Sequence, residues 1–359
     1  MLPLSRNRPA TLVLALFGGA LLIYLVVLRP LLPRGAIAYA TRPLWDHDER
    51  PSEVLEHYWA EGLDAADQCR LHGWEKRTDK PEMWDATIFS TELDLLLVRL
   101  HELSPAVDRF FLVESDRTFT GLPKPLVLQP ALANDARFKP FLPRITYRTF
   151  KGRALEKGES PWDQEIALRQ SMTSLLREHF PPTPTPSPVM LFSDVDELIS
   201  RRTVSLLKAC AFGPPLHLGL RSFVYSFEFE EGGEVSSWRP SAVEWPLRGE
   251  GEDEFYRWCF RHLSDFIRKA TGYSHVDRLG SRPSALLRPA RIQETVCKGV
   301  DMFEMLPEAY SYRDFFNKIR LVPSKSAVDI PSYVVEHADE LRYLLPGPGN
   351  CIREDAPKS

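Results

Sequence analysis

The sequence predicts an α/β domain, a mixed sheet flanked by helices, preceded by an N-terminal transmembrane helix and a stem. Three observations carry that expectation. Short apolar runs alternate along the chain with stretches whose leucines recur at helical spacing. The apolar tetrad Val189-Met190-Leu191-Phe192 opens after the proline-rich segment 181–188 and runs straight into Ser193-Asp194-Val195-Asp196-Glu197. No charged residue occurs from Pro9 to Leu28.

The N-terminal stretch Thr11–Leu28 is dominated by apolar side chains. At roughly 20 residues it matches the thickness of a bilayer core. Its exit, Arg29-Pro30-Leu31-Leu32-Pro33-Arg34, has no clear Ala-x-Ala cleavage pattern. The expected organisation is a cytoplasmic tail (1–9), a signal anchor (10–28), a stem (29–80), one large domain (81–350) and a short tail (351–359). That topology is single-pass type II, with the membrane as partner of the anchor and the domain lumenal.

Within the domain, Ala86–Phe89 reads as a short strand. Leu93, Leu96, Leu97, Leu100 and Leu103 then form one apolar helix face. Arg109–Val113 reads as a second strand ending in Glu114-Ser115, and Pro125–Leu128 as a shorter third. Leu168, Met172, Leu175 and Leu176 stripe a helix that ends at His179-Phe180, before the acid-terminated strand. Phe223, Tyr225, Phe227 and Phe229 alternate with Ser222, Val224, Ser226 and Glu228, which predicts one long strand with an aromatic face. Leu263, Phe266, Ile267 and Ala270 suggest a further helix.

A net charge of −4 gives no reason to propose a nucleic-acid partner. The five cysteines, Cys69, Cys210, Cys259, Cys297 and Cys351, match no zinc spacing. In a lumenal domain they allow one or two disulfides and leave a thiol over, with the pairing unreadable. No Asn-x-Ser/Thr sequon occurs.

The chemistry gathers at Asp194 and Asp196. Two carboxylates at i, i+2 on the end of a strand project to one side and repel unless a cation lies between them. Hard divalent cations take oxygen ligands and bind diphosphates in turn, so the pair suits a metal-bound nucleotide diphosphate. The alternative is an acidic strand-to-helix turn, with Asp capping a helix before Leu198. Glu92 and Glu114 lie at strand ends, where nucleotide sites of α/β sheets collect, or else cap helices. Lys124 and Arg169 could contact the phosphates of such a ligand or pair with neighbouring acids, Thr120-Gly121 could contact it or be only a turn, and Trp162 could stack on a sugar or base or belong to the core.

Glu92-Leu93-Asp94-Leu95-Leu96-Leu97-Val98-Arg99-Leu100-His101-Glu102-Leu103, then Phe111-Leu112-Val113-Glu114-Ser115 and Thr118-Phe119-Thr120-Gly121, resemble the opening of a glycosyltransferase family 17 domain. Trp162, Glu165 and Arg169, the Ser193–Leu198 run, Arg221-Ser222 with Tyr225, Trp258-Cys259-Phe260, Ser274-His275, Lys298-Gly299-Val300-Asp301 and Pro331–Val335 continue the resemblance in order. It spans roughly residues 66–346.

The resemblance implies a GT-A type fold, UDP-N-acetylglucosamine as nucleotide-sugar donor, a divalent metal (Mn2+ or Mg2+), inverting transfer to a mannose of an N-glycan or glycoprotein acceptor in β-1,4 linkage, and a Golgi lumen location. Inversion needs a base for the acceptor hydroxyl, and a carboxylate suits it. Glu230, Glu231, Asp265 and Asp301 are the candidates, with Asp301 preferred because its motif matches. The family's usual Trp-His-Cys-Ser run before aromatic-Cys-Phe is replaced here by Glu254-Phe255-Tyr256-Arg257. That departure sustains a second reading, a catalytically weak glycan- or partner-binding domain of the same fold.

Overall fold

The computed structural model describes residues 8–23, 41, 44, 54–180, 186–237, 239–244, 263–273, 276–279, 283–303, 321, 323–326, 328–347 and 349–354. Glu254–Arg257, Trp258-Cys259-Phe260 and Ser274-His275, singled out above, lie outside the described residues.

The expected transmembrane helix is overturned. Helix α1 (Arg8–Ile23) has 16 described residues. At 1.5 Å per residue it measures about 24 Å, short of the roughly 30 Å hydrocarbon core. Among the described residues no helix is long and apolar enough to cross a membrane. The fold that remains is a mixed sheet flanked by helices.

The next elements lie in the stretch read as stem. Helix α2 (Ala65–Leu71) is capped by the Asp64 carboxylate, which accepts from Asp67 N. Strand β1 (Glu75–Lys76) follows and pairs antiparallel with β6 (Cys210–Ala211), while Cys69 is disulfide-bonded to Cys210. This stretch is thus fastened to the domain.

Strands β2 (Met83–Phe89) and β3 (Arg109–Ser115) pair in parallel and are almost wholly buried. Helix α3 (Leu93–Leu103) connects them. Helix α4 (Leu128–Asn134) precedes β4 (Ile145–Phe150), which pairs parallel to β3. The long helix α5 (Pro161–His179) leads to β5 (Val189–Phe192), parallel to β2 on its other side. A capping box fixes the start of α5: Ser160 accepts from Trp162 N, and Asp163 accepts from Ser160 N.

After α6 (Arg201–Ala209) and β6, β7 (Leu216–His217) and β10 (Ser241–Glu244) complete the sheet. Its order is β4-β3-β2-β5-β10-β7, antiparallel only at β10. The period of two then sorts the core. Phe110, Leu112, Val189 and Leu191 face α3 on one side, while Phe111, Val113 and Met190 meet Leu168, Met172 and Leu175 of α5 on the other.

Two strand expectations fail. Residues 125–127 are not strand, and α4 starts at Leu128, because Val127 N and Leu128 N donate to the Glu114 carboxylate. The aromatic run 223–229 is a hairpin: β8 (Leu220–Val224) and β9 (Phe229–Ser237) pair antiparallel across a turn at 225–228. Tyr225 adopts φ 67°, a left-handed conformation that breaks the alternation, and its hydroxyl donates to Val300 O.

Tyr225 joins a separate core with α7 (Leu263–Gly272), α8 (Pro283–Leu286) and α9 (Pro289–Lys298). A second disulfide, Cys297–Cys351, ties α9 to the C-terminal segment. Helix α10 (Ser332–Glu336) lies over α3, with Tyr333 stacked on His101 at 3.8 Å.

The Cys69–Cys210 bridge closes a separation of 141 residues. The double variant Cys69→Ser/Cys210→Ser should lose roughly 2–5 kcal/mol of stability, chiefly through a freer unfolded chain. Chemical denaturation measures it, and an unchanged midpoint would show that the bridge contributes nothing.

Candidate active site

The ends of β2, β3 and β5 deliver three loops to one side of the sheet. Between them and α7 lies a cavity of about 80 Å³. Ser90, Thr91 and Glu92 line it after β2, Ser115 at the end of β3 with Arg117 and Thr118 beyond it, and Asp194, Val195 and Asp196 after β5. Helix α7 closes it with Arg268, Lys269 and Gly272, followed by Tyr273. This is the carboxyl-end crevice in which α/β sheets bind their ligands.

The acidic loop is shaped from below by Arg99 of α3, whose side chain is wholly buried. Its Nε and Nη2 donate to the two Asp85 carboxylate oxygens at 2.8 and 2.5 Å. Nη2 also donates to Ser193 Oγ, and Nη1 to the carbonyls of Asp194 and Glu197, both at 3.0 Å. Glu197 closes the loop by accepting from Asp194 N at 3.0 Å. The guanidinium fork therefore holds both ends of the Asp-x-Asp turn.

The carboxylates above that turn meet cations. Arg169 Nη2 lies 3.1 Å from Asp194 Oδ1 and is itself gripped by buried Glu165. Lys269 Nζ lies 3.3 Å from both Asp196 Oδ2 and Glu92 Oε1. Burial opposes the lysine's charge, but Asp196 and Glu92 outweigh it and raise its pKa above the usual range. Burial also raises Asp194, with repulsion from Asp196 and Glu165 adding to it against Arg169 and Lys269.

Expected to hold a divalent ion, Asp194 and Asp196 instead each face a side-chain cation. Among the described residues no group of three His, Cys, Asp or Glu is placed to hold a metal ion. With no third protein ligand among the described residues and with both carboxylates engaged by Arg169 and Lys269, the donor set does not by itself form a site for manganese or magnesium.

The other expected residues separate. Glu114 is fully buried, accepting from Lys124 Nζ, from the backbone of Val127 and Leu128, and from Tyr147 Oη at 2.7 Å. It caps α4 beneath the site. Lys124 lines the cavity while its ammonium donates to Ser90 O and Glu114. Thr120 Oγ1 donates to Thr271 O, and Gly121, at φ 78°, brings its backbone against residues 153–155, where a Cβ would lie 2.8 Å from Leu155 N. Thr120 thus docks the loop after β3 onto α7, and Gly121 packs it against the segment between β4 and α5.

Trp162 sits exposed at the first turn of α5, outside the cavity lining. Glu230 is clasped by Arg221 at 2.6 and 2.8 Å, and neither it nor exposed Asp301 lines the cavity. Asp265 falls on α7, its side chain outside the described set.

Sequence reasoning missed Arg99, Arg117, Arg268 and Lys269 as site residues. Arg99 sits inside the leucine-rich helix, and a lone cation on a buried helix face was the one available signal.

A mixed α/β sheet with a charged crevice at its strand ends has the ligand-binding architecture common to α/β proteins. The chain belongs to glycosyltransferase family 17, whose family model matches residues 7–354. This bears out the resemblance read from the motifs. The chain is similar to the β-1,4-mannosyl-glycoprotein 4-β-N-acetylglucosaminyltransferases of Homo sapiens and Rattus norvegicus, at 30% identity over 147 residues in each case. Those matches cover 40% of this chain and 26% of each relative. No solved structure matches the chain significantly.

Arg99→Met should lower stability by roughly 3–5 kcal/mol, because it strands Asp85 as an uncompensated buried charge. Arg99→Met/Asp85→Leu should recover part of that loss. Denaturant midpoints test this, and a double variant no more stable than the single would show that the stranded carboxylate is not the cause.

Proposed function

We propose that this glycosyltransferase moves N-acetylglucosamine from UDP-N-acetylglucosamine to a mannose of an N-glycan, with inversion and a β-1,4 linkage. The observation that carries the reading is the crevice in which Arg117, Lys124, Arg268 and Lys269 share one lining with Glu92, Asp194 and Asp196. A nucleotide diphosphate needs such cations, and the family membership makes a nucleotide sugar the expected donor. The acceptor and linkage rest on the names of the relatives.

In the reaction, the bond between the anomeric carbon and the β-phosphate oxygen breaks, and its electron pair stays on UDP. The acceptor oxygen bonds the carbon from the opposite face, and its proton goes to a base. Asp301 is our candidate for that base. It is exposed, and it precedes by two residues Phe303, whose ring stacks on crevice-lining Tyr273. Two disulfides support an oxidising compartment such as the Golgi lumen.

Incubation of the purified chain with UDP-N-acetylglucosamine and a biantennary N-glycan tests the proposal, with mass spectrometry of the product. One added N-acetylhexosamine in β-1,4 linkage to mannose is expected. UDP binding without transfer to any of several N-glycans would favour the binding-domain reading, which the altered stretch Glu254–Arg257 motivates.

Asp301→Asn should cut turnover roughly 10²–10⁴-fold with UDP affinity unchanged. Full activity in that variant would move the base elsewhere.

A further inference from the structure

The crevice offers carboxylates that are already neutralised by built-in cations. Lys269 lies 3.3 Å from one oxygen of Asp196 and from one of Glu92, and its side chain is only 13% exposed. Asp196 and Glu92 are each 4% exposed at the side chain, so neither is screened by bulk water. Arg169 of α5 does the corresponding work at Asp194.

A divalent ion on Asp194 and Asp196 would enter beside the guanidinium of Arg169 and the ammonium of Lys269. It would meet their repulsion there against the attraction of the carboxylates, and would compete with both cations for the same oxygens. It would also have to displace both hydrogen-bonded partners.

Lys269 does not depend on chance for its place. Its backbone belongs to α7, whose Phe266 and Ala270 are packed in the second core. The end of the helix is pinned to the loop after β3: Thr120 Oγ1 donates to Thr271 O, Thr120 N donates to Gly272 O, and a Cβ on Gly272 would lie 2.6 Å from Thr118 Cγ2. The ammonium is thus a fixed charge in the lining, held ready by two carboxylates. Such preorganised charge is what stabilises an oxyanion developing in a reaction.

We infer that Lys269 is the cation that binds the diphosphate of the nucleotide donor and offsets the charge growing on the leaving UDP, in the place that a divalent metal would otherwise fill. The inference rests on the nucleotide-sugar reading above and deepens it. Asp196 and Glu92 act as positioning residues for the ammonium. When the sugar–phosphate bond breaks, the electron pair moves onto the β-phosphate oxygen, and the neighbouring ammonium stabilises it as a fixed charge. No proton or further reactant is required for that role.

Calorimetric titration of UDP and of uridine tests this, using the parent chain, Lys269→Gln and Lys269→Arg, each with EDTA or with Mn2+. The parent is expected to bind UDP in EDTA within about threefold of its affinity in Mn2+. Lys269→Gln should weaken UDP roughly 10- to 100-fold, the range for losing a charged hydrogen bond, while uridine binding stays unchanged. Lys269→Arg should restore most of the loss. A melting temperature for each variant, and the charge-balanced double variant Lys269→Gln/Glu92→Gln, separate a lost phosphate contact from a damaged fold.

UDP binding by the parent only when Mn2+ is present overturns the inference, as does equal UDP affinity in parent and Lys269→Gln. Failure of the parent to bind UDP in either condition would instead sink the donor reading on which the inference stands.

Discussion

The buried pair of Arg99 and Asp85 is the interaction on which the site depends. It joins helix α3 to strand β2 inside the core and spends its remaining donors on the acidic loop after β5. A buried ion pair seldom adds net stability, since desolvation offsets the attraction. Its value here is geometric. Three elements distant in sequence are locked by one planar fork, so Asp194 and Asp196 stand at a fixed height over the ends of the parallel strands.

The same economy of charge continues outward. Glu114 holds Lys124 and the start of α4, Glu165 holds Arg169, and Asp196 with Glu92 holds Lys269. These three cations are each oriented by a carboxylate and come from different elements of the fold. A crevice assembled this way keeps its polarity before any ligand arrives, which lowers the reorganisation required when negative charge enters. The docking of Thr120 onto α7 holds the loop after β3 to the helix that closes the crevice.

Much of the frame was legible because it is local. The leucines of α3 and α5 repeat at helical spacing, and the parallel strands are short apolar runs, so periodicity alone separates them. Where a tertiary contact overrides the local pattern, the reading failed. The alternation from Phe223 to Phe229 is that of a strand, yet Tyr225 turns left-handed to bury its ring between α7 and α9 and to reach Val300. Pro125–Leu128 looks extended until the Glu114 carboxylate takes its amides. The apolar N-terminal run has the composition of a span, yet among the described residues no helix is long and apolar enough to cross a membrane.

By itself the sequence determined the family, the α/β alternation and the position of the acid pair at a strand end, because motifs and periods are properties of neighbouring residues. Only the tertiary structure decided what those acids face. Lys269 stands 73 residues from Asp196 and 177 from Glu92, and Arg169 stands 25 from Asp194. No spacing rule links such residues; the packing of α7 and α5 against the sheet does. The disulfide partners were settled the same way, by which backbones the fold brings side by side. A carboxylate pair reads as a metal site when its surroundings are unknown, and as half of two ion pairs once the helices that supply the cations are in place.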